Sequence, residues 1–304
     1  MDRNDQCDET VASLGEEALV ARLVAGLPAG AGLVVGAGDD CAVVESGNGE
    51  WLLLKTDSLV ESIHFLPGTD PVQVGRKAMN RALSDIAAMG GWPAHALVSL
   101  AVESDRSLSE VEGWYTGLIE AATAFDCGIA GGETTRLPFP GAVLTLSMTG
   151  TVAPTECVFR SGASPGDLIV VTGLLGGSFA SGRHLTFTPR LREARWLATH
   201  HKPTAMMDLS DGLGSDLPRL AAASAAGYRV ESATLPCHVG TSCEAAIGDG
   251  EDYELLFTIT PERIAGLLAD WSNVFPETPL TVIGEITAQD SSPLSRGWEH
   301  YRER

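Results

Sequence analysis

Five short acidic segments, each flanked by glycine or small residues, recur along this chain. The segments are Gly36-Ala37-Gly38-Asp39-Asp40, Lys55-Thr56-Asp57, Leu83-Ser84-Asp85, Asp208-Leu209-Ser210-Asp211-Gly212 and Gly250-Glu251-Asp252. If three of these carboxylates met in one pocket, each pair about 4 Å apart would repel by about 4 kcal/mol at an effective dielectric of about 20. A fold that brings them together must therefore hold a cation between them, and hard oxygen ligands of this kind favour Mg²⁺.

Length and charge limit the classes of protein to consider. The chain has 304 residues, of which 44% are hydrophobic, and this size predicts two globular domains. The formal net charge of -20 argues against a nucleic acid or a membrane surface as partner, because an anionic polymer would be repelled over most of the surface. We find neither an apolar run of membrane-spanning length nor the pattern of a signal peptide, so we expect a cytoplasmic protein.

The cysteines show no CxxC pair and no spacing with histidine that is typical of zinc sites. We therefore predict buried free thiols in a reducing compartment. The six cysteines are Cys7, Cys41, Cys127, Cys157, Cys237 and Cys243.

Hydrophobic periodicity predicts alternating helices and strands in both halves of the chain. Helices are predicted at 10–27, 71–89, 108–125, 190–199, 213–226 and 261–271. Strands are predicted at 33–35, 41–44, 51–54, 94–102, 143–152, 168–172, 228–231, 253–259 and 280–286. Asp85 is expected inside the second helix. A Gly/Ser/Pro cluster at 160–167 marks a linker, so we expect an N-terminal domain at 1–154 and a C-terminal domain at 155–304.

Several common enzyme motifs are missing from the sequence. A P-loop requires a Gly-Lys step, but the three lysines, Lys55, Lys77 and Lys202, follow leucine, arginine and histidine. The segment around Asp39 lacks the third glycine of a dinucleotide fingerprint. The nucleophile elbow GxSxG of many hydrolases is also missing.

Six motifs in the same order closely resemble the thiamine-monophosphate kinase family. They are Gly36 to Val44, Lys55 to Phe65, Leu83 to Gly90, Gly131-Gly132-Glu133-Thr134-Thr135-Arg136, Met207 to Leu213 and Gly250 to Phe257. The resemblance extends from about residue 14 to the C-terminus. Any one motif alone is weak, since GDD and LSD occur by chance, but six in register are specific.

The resemblance implies a fold and a reaction. The fold is the two-domain α/β fold, with mixed α+β sheets, of the aminoimidazole ribonucleotide synthetase-like superfamily. In that fold the N-terminal domain forms a homodimer through its sheet, and the C-terminal domain closes over the nucleotide. The implied reaction converts ATP and thiamine monophosphate into ADP and thiamine diphosphate with the help of several Mg²⁺ ions.

The same resemblance assigns candidate site residues. Those implied to contact Mg²⁺ are Asp40, Thr56, Asp57, Asp85, Glu133, Asp208 and Asp211, with Asp39 structural. Those implied to bind ATP are Tyr115, Gly132, Arg160 and Ser210. Those implied to bind thiamine monophosphate are His64, Glu251 and Trp298. No side chain is expected to act as acid or base, because the accepting phosphate, with a second pKa of about 6, is already largely dianionic at neutral pH. Catalysis then depends on positioning and charge neutralisation.

The chain departs from the family pattern in three places. Glu133 stands where aspartate is usual, Lys55 where serine or threonine is usual, and Asp249 where glycine is usual. Lys55 removes a possible ligand and adds a cation beside the site. The number of bound metal ions therefore stays open.

Two other functions stay open at this point. One is another ATP-using enzyme of the superfamily, such as a selenophosphate synthetase or an aminoimidazole ribonucleotide synthetase. The former needs a reactive N-terminal cysteine, and the acidic neighbours of Cys7 would raise rather than lower its pKa. The other is a protein that binds a nucleotide or a thiamine phosphate without catalysis. In that case the departures from the family pattern at Glu133 and Lys55 would indicate a loss of catalytic activity.

Overall fold

The structure, a computed structural model, describes residues 10–291, 293–295 and 297–301. Helices in this part of the chain are α1 Val11–Leu14, α2 Glu16–Val24, α3 Pro71–Ala88, α4 Leu108–Ala124, α5 Ser178–Ser181, α6 Leu191–His200, α7 Leu213–Ala223, α8 Cys243–Gly248 and α9 Pro261–Val274. Strands are β1 Leu33–Val35, β2 Ala42–Glu45, β3 Trp51–Val60, β4 Trp92–Val102, β5 Gly128–Arg136, β6 Ala142–Val152, β7 Leu168–Thr172, β8 Ala205–Asp208, β9 Gly227–Val230, β10 Leu255–Ile259 and β11 Leu280–Thr287.

The first half of the chain forms a six-stranded mixed sheet in the order β1-β2-β3-β6-β4-β5. Only β4 and β5 pair in parallel among its described neighbours. Side chains alternate between the two faces of a strand, and the buried residues of β6, such as Leu144 and Leu146, point toward the core under α3 and α4. Helices therefore cover one face of this sheet.

Helix α3 is the central element of the molecule. Its start is fixed by Asp70, whose carboxylate accepts from the backbone N–H groups of Val72 and Gln73, as N-cap residues do. It approaches α4 so closely that a Cβ on Gly75 would lie 1.8 Å from the carbonyl oxygen of Trp114. Helix α3 also contacts α6 and β8 of the second half, so polar residues on it can face both domains.

The second half forms a five-stranded antiparallel sheet in the order β8-β10-β7-β11-β9. Strand β7 is buried on both faces, since Ile169 and Val171 lie in one apolar cluster and Val170 in the other. This explains why its sequence is continuously apolar rather than alternating. The cluster that contains Val170 extends into the first half, so the two halves share a core.

The predicted α/β class and two-sheet organisation are confirmed, and α3 contains Asp85 as expected. The helix predicted at 10–27 is wrong as one element, because Gly15 (φ +80°) divides it into α1 and α2. The strand predicted at 253–259 begins instead at Leu255, since Glu251 (φ +57°) and Tyr253 (φ +52°) have a left-handed backbone conformation that a strand does not allow. Strands β5 and β8 and the short helices α5 and α8 were not predicted. Helices of the described chain are too short or too polar to cross a membrane.

The cysteines that the structure describes are free, as predicted. Cys41 and Cys127 are buried, whereas Cys157 and Cys237 are partly exposed. The prediction of burial is wrong for Cys243, which is exposed at the start of the short helix α8. Cys7 lies outside the described residues.

Candidate functional site

Three aspartates from distant parts of the chain converge in one buried cluster. Asp40 precedes β2, Asp85 lies near the end of α3, and Asp208 ends β8. One carboxylate oxygen of each lies within 4.8 Å of the others, and the residues are only 2%, 8% and 3% exposed. Both halves of the chain therefore contribute to a single concentration of negative charge.

The turn before β2 fixes the position of Asp40. The carboxylate of Asp39 accepts from the backbone N–H of Asp40 at 2.9 Å and from that of Arg160 at 3.1 Å. Burial, followed by the charge of Asp40, raises the pKa of Asp39 to about 6. Asp39 thus joins the turn to the linker between the halves, which is the structural role expected for it.

Two cations and a hydroxyl partly compensate the cluster. The ammonium of Lys55 lies 2.6 Å from Asp85 Oδ1, and the guanidinium of Arg160 donates to Asp40 Oδ1 at 2.5 Å. The Ser84 hydroxyl donates to Asp208 Oδ2 at 2.6 Å. Burial and then the charge of Asp40 raise the pKa of Asp208 to about 7. The surrounding side chains alone therefore do not fully compensate the charge of three ionised carboxylates.

The donor set fits a divalent cation. Asp40 Oδ2 is buried and makes no hydrogen bond within the described part of the chain, although a buried carboxylate oxygen without a partner is costly. Three carboxylate oxygens within 4.8 Å are the hard ligands that Mg²⁺ takes in proteins. An ion bound between them would satisfy the unpaired oxygen and reduce the mutual repulsion.

The other four predicted metal ligands lie outside this cluster. Both oxygens of Asp57 accept from Arg81, at 2.9 and 3.1 Å. The Thr56 hydroxyl lies 3.4 Å from that of Ser147, whereas Asp57, the next residue along β3, faces the opposite side of the sheet. The remaining two are Glu133, exposed on β5, and Asp211, which pairs with Arg219 at 2.5 Å. As metal ligands, these four stay predictions.

The residues predicted to bind ATP lie in three places. Arg160 and Ser210 border the aspartate cluster, Arg160 through its pair with Asp40 and Ser210 two residues after Asp208. Gly132 lies on β5, where a Cβ would meet the carbonyl oxygen of Val98 at 1.8 Å. Tyr115 lies on α4, partly buried against the core. Only the first two are therefore close to the cluster.

The residues predicted to bind thiamine monophosphate lie near one another. The rings of His64 and His300 are 5.5 Å apart, and Trp298 meets His300 edge-on at 6.1 Å. Glu251 approaches the same region from the second half, where Lys77 Nζ lies 2.7 Å from it and 2.6 Å from the backbone oxygen of His64. The structure thus brings these three predicted residues together.

A cavity of about 820 Å³ lies elsewhere, between α3, α4, the segment at 186–193 and the turn before β11. Its lining residues include Asn80, Phe187 and Phe275. The predicted site residues are not among those that line it, so the cavity is separate from the site described above.

Comparison with known proteins gives the family. The AIR synthase related protein models match residues 38–152 for the N-terminal domain and 164–294 for the C-terminal domain. The thiamine-monophosphate kinase of Escherichia coli is 34% identical over 303 residues, covering 88% of this chain and 91% of that protein. The chain belongs to the thiamine-monophosphate kinase family. The Synechococcus elongatus relative of the same name is 31% identical over 97% of this chain and 98% of its own length.

Solved structures agree with this membership of the kinase family. AaThiL complexed with AMPPCP and TMP superposes with a TM-score of 0.83 at 30% identity, over 96% of this chain and 99% of that one. The hydrogenase maturation protein HypE of Escherichia coli superposes with a TM-score of 0.68 at 18% identity, over 90% of this chain and 92% of that one. The second likeness shows the shared fold alone.

The sequence analysis missed three polar residues of α3 that contact predicted site residues. Lys77, Arg81 and Ser84 contact Glu251, Asp57 and Asp208, respectively. They recur three or four residues apart and therefore share one face of the helix. A polar row of this kind on an otherwise apolar helix is a signal that could have found them.

Proposed function

We propose that this protein transfers the γ-phosphoryl group of ATP to thiamine monophosphate and releases thiamine diphosphate and ADP. The observation that carries the proposal is the buried convergence of Asp40, Asp85 and Asp208 in a member of the thiamine-monophosphate kinase family. A cluster of this kind, built from both halves of the chain, suits a reaction between two phosphate-bearing compounds.

The main barrier in this reaction is electrostatic. Both reactants are anions, and the accepting phosphate needs no strong base because it is largely dianionic at neutral pH. Asp40, Asp85 and Asp208 would hold Mg²⁺, which would supply positive charge to offset the charge of the phosphate oxygens. Arg160 supplies positive charge at the edge of the cluster, and its buried Nε makes no hydrogen bond among the described residues. This nitrogen is available to a phosphate oxygen of the nucleotide.

The acceptor is held by residues outside the aspartate cluster. His64, Trp298 and Glu251 offer ring faces and a carboxylate at one place, where a flat cationic ring system can stack. Burial and then the charge of Arg81 lower the pKa of His64 to about 3. His64 is therefore neutral at physiological pH and does not repel the cationic thiamine moiety.

The proposal includes a homodimer formed through the first sheet. The face of this sheet opposite α3 and α4 bears the exposed side chains of Leu54 and Leu97, which are 39% and 49% exposed. Small residues such as Ser99 and Ser147 surround them, and exposed leucines on an open sheet face are typical of an interface. We expect Leu97→Glu to convert a dimer into a monomer, as measured by light scattering during gel filtration. A wild-type monomer would contradict this part of the proposal.

Two further parts of the proposal concern organisation and location. The domain boundary is placed near residue 154, which is supported by the gap between the two family matches at 152 and 164. A cytoplasmic location is supported by the free cysteines of the described chain, since free thiols persist in reducing compartments.

The test is a reaction with purified protein, ATP, Mg²⁺ and thiamine monophosphate, in which thiamine diphosphate and ADP are quantified by chromatography. We expect the two products in equal amounts, a loss of turnover in Asp85→Asn, and normal turnover in the matched control Asp105→Asn, which changes an exposed aspartate. ADP without thiamine diphosphate would favour another enzyme of the superfamily. Binding of both ligands without turnover would favour a non-catalytic binding protein, and either result would refute the proposal.

A further inference from the structure

Lys77 is a cation in the interior of the protein, with 0% of its side chain exposed. Its Nζ lies 2.6 Å from the backbone oxygen of His64, 2.6 Å from His184 Nδ1, and 2.7 and 2.9 Å from the two carboxylate oxygens of Glu251. An ammonium group has three N–H donors, and these three partners use all of them. A buried lysine is rare unless it is paired in this way.

The partners of Lys77 come from both halves of the chain. Lys77 and His64 belong to the first half, whereas His184 and Glu251 belong to the second. The Nδ1 atom of His184 lies 2.6 Å from the ammonium of Lys77 and 3.2 Å from Glu251 Oε2, so it contacts both members of the ion pair. The ammonium therefore joins helix α3 and the segment after β3, both in the first half, to the segments that carry His184 and Glu251 in the second half.

The ion pair with Lys77 holds the carboxylate of Glu251 in a fixed position. Its backbone has φ +57°, a left-handed conformation that is unfavourable for a residue with a Cβ. Burial alone would raise the pKa of Glu251, but the neighbouring ring of His184 and the charge of Lys77 lower it to about 2. The carboxylate is thus ionised and held before any substrate arrives.

We propose that Lys77 is a positioning residue that sets the separation and orientation of His64 and Glu251, and thereby the affinity for the acceptor substrate. The inference rests on the proposed function, because it takes His64 and Glu251 as the residues that hold thiamine monophosphate. Lys77 acts through these two residues and not on the transferred phosphoryl group. Removing it should therefore weaken binding of the acceptor while leaving the nucleotide site intact.

The charge of Lys77 gives the inference a second consequence. Groups that face it are Glu251, His184, His64, Arg81 and Asp57. Burial, only partly offset by the charge of Glu251, lowers the pKa of Lys77 to about 8. As the pH rises through this value, the ammonium loses its proton and the ion pair with Glu251 is lost. The KM for thiamine monophosphate should rise over the same range.

The experiment measures kcat and both KM values for the wild type, Lys77→Met, Glu251→Gln and the double variant. Lys202→Met serves as the control, because Lys202 is an exposed lysine. We expect Lys77→Met to raise the KM for thiamine monophosphate by about tenfold and the KM for ATP by less than about threefold. The effects of Lys77→Met and Glu251→Gln on the KM for thiamine monophosphate should be less than additive in the double variant, because Lys77 acts in part through Glu251.

Each outcome distinguishes the inference from the proposed function. If the wild type makes no thiamine diphosphate, the proposed function fails. If the wild type is active but Lys77→Met behaves like Lys202→Met, or raises both KM values equally, or adds its effect to that of Glu251→Gln, only the inference fails. If Lys77→Met does not fold, the comparison of the double variant with Glu251→Gln and the wild-type pH profile carry the test. A KM for thiamine monophosphate that stays constant between pH 7 and pH 9 would also overturn it.

Discussion

Lys55 should stabilise the protein, because its ammonium supplies part of the positive charge that a metal ion would otherwise bring to the aspartate cluster. Its ammonium lies 2.6 Å from Asp85 Oδ1, with the side chains 22% and 12% exposed. The three carboxylate oxygens lie within 4.8 Å of one another, so each ionised pair repels by at least about 3.5 kcal/mol at an effective dielectric of about 20. Removing one partner of a buried ion pair typically costs about 3–5 kcal/mol, and partial exposure reduces this to about 2–4 kcal/mol for Lys55→Met.

This cost should depend on divalent cations. In EDTA, we expect Lys55→Met to melt about 4–8 °C below the wild type, since about 1 kcal/mol corresponds to about 2 °C in a chain of this size. Added Mg²⁺ should raise the melting temperature of the variant more than that of the wild type, because a bound cation replaces the missing charge. Differential scanning calorimetry with Lys202→Met as the matched control measures both effects. Equal melting of variant and wild type in EDTA, or an equal shift with Mg²⁺, would refute the reasoning.

Three further predictions concern packing, acid stability and turnover. Gly75→Ala should destabilise the protein by about 3 kcal/mol or more in urea melts, because its Cβ would lie 1.8 Å from the Trp114 carbonyl oxygen; a loss below about 1 kcal/mol would contradict this packing. Glu251, whose folded pKa of about 2 is below the unfolded value of about 4.3, contributes stability that is present above about pH 4.3 and is lost as the pH falls toward 2. Glu251→Gln should therefore lose less stability than the wild type between pH 5 and pH 3 in thermal melts, and parallel losses would show that Glu251 has no such role. Asp208→Asn should lower kcat by about 100-fold or more without changing the far-ultraviolet circular dichroism spectrum, whereas wild-type turnover would exclude Asp208 from the reaction.

Periodic segments were predictable because local pattern and tertiary packing agree in them. Helix α3 has an N-cap aspartate, a proline at its first position and glycine after its end, and its predicted bounds differ by one residue from those observed. Strand β5 was missed because Gly128–Arg136 contains three glycines and little apolar alternation. Its pairing with β4 supplies a partner that no local pattern reveals. Gly15 was missed as a break because helical spacing of apolar residues continues across it.

The acidic set was predictable in part. The resemblance implied that Asp40, Asp85 and Asp208 contact Mg²⁺, and the structure brings these three together, whereas the metal contact itself stays a prediction. Asp57 lies in β3, and Asp85 lies in α3 as expected. The pair of Asp57 with Arg81 depends on how α3 packs on β3, and a contact between residues 24 positions apart has no local signature.

The most direct test of the central claim is to locate the metal. Crystals grown with Mn²⁺ in place of Mg²⁺, a non-hydrolysable ATP analogue and thiamine monophosphate would show the ion by anomalous scattering. We predict a peak between Asp40, Asp85 and Asp208, with carboxylate oxygens at the distance of about 2.1 Å that octahedral Mg²⁺ sites show. Both ligands bound without an anomalous peak between these three aspartates would contradict the account.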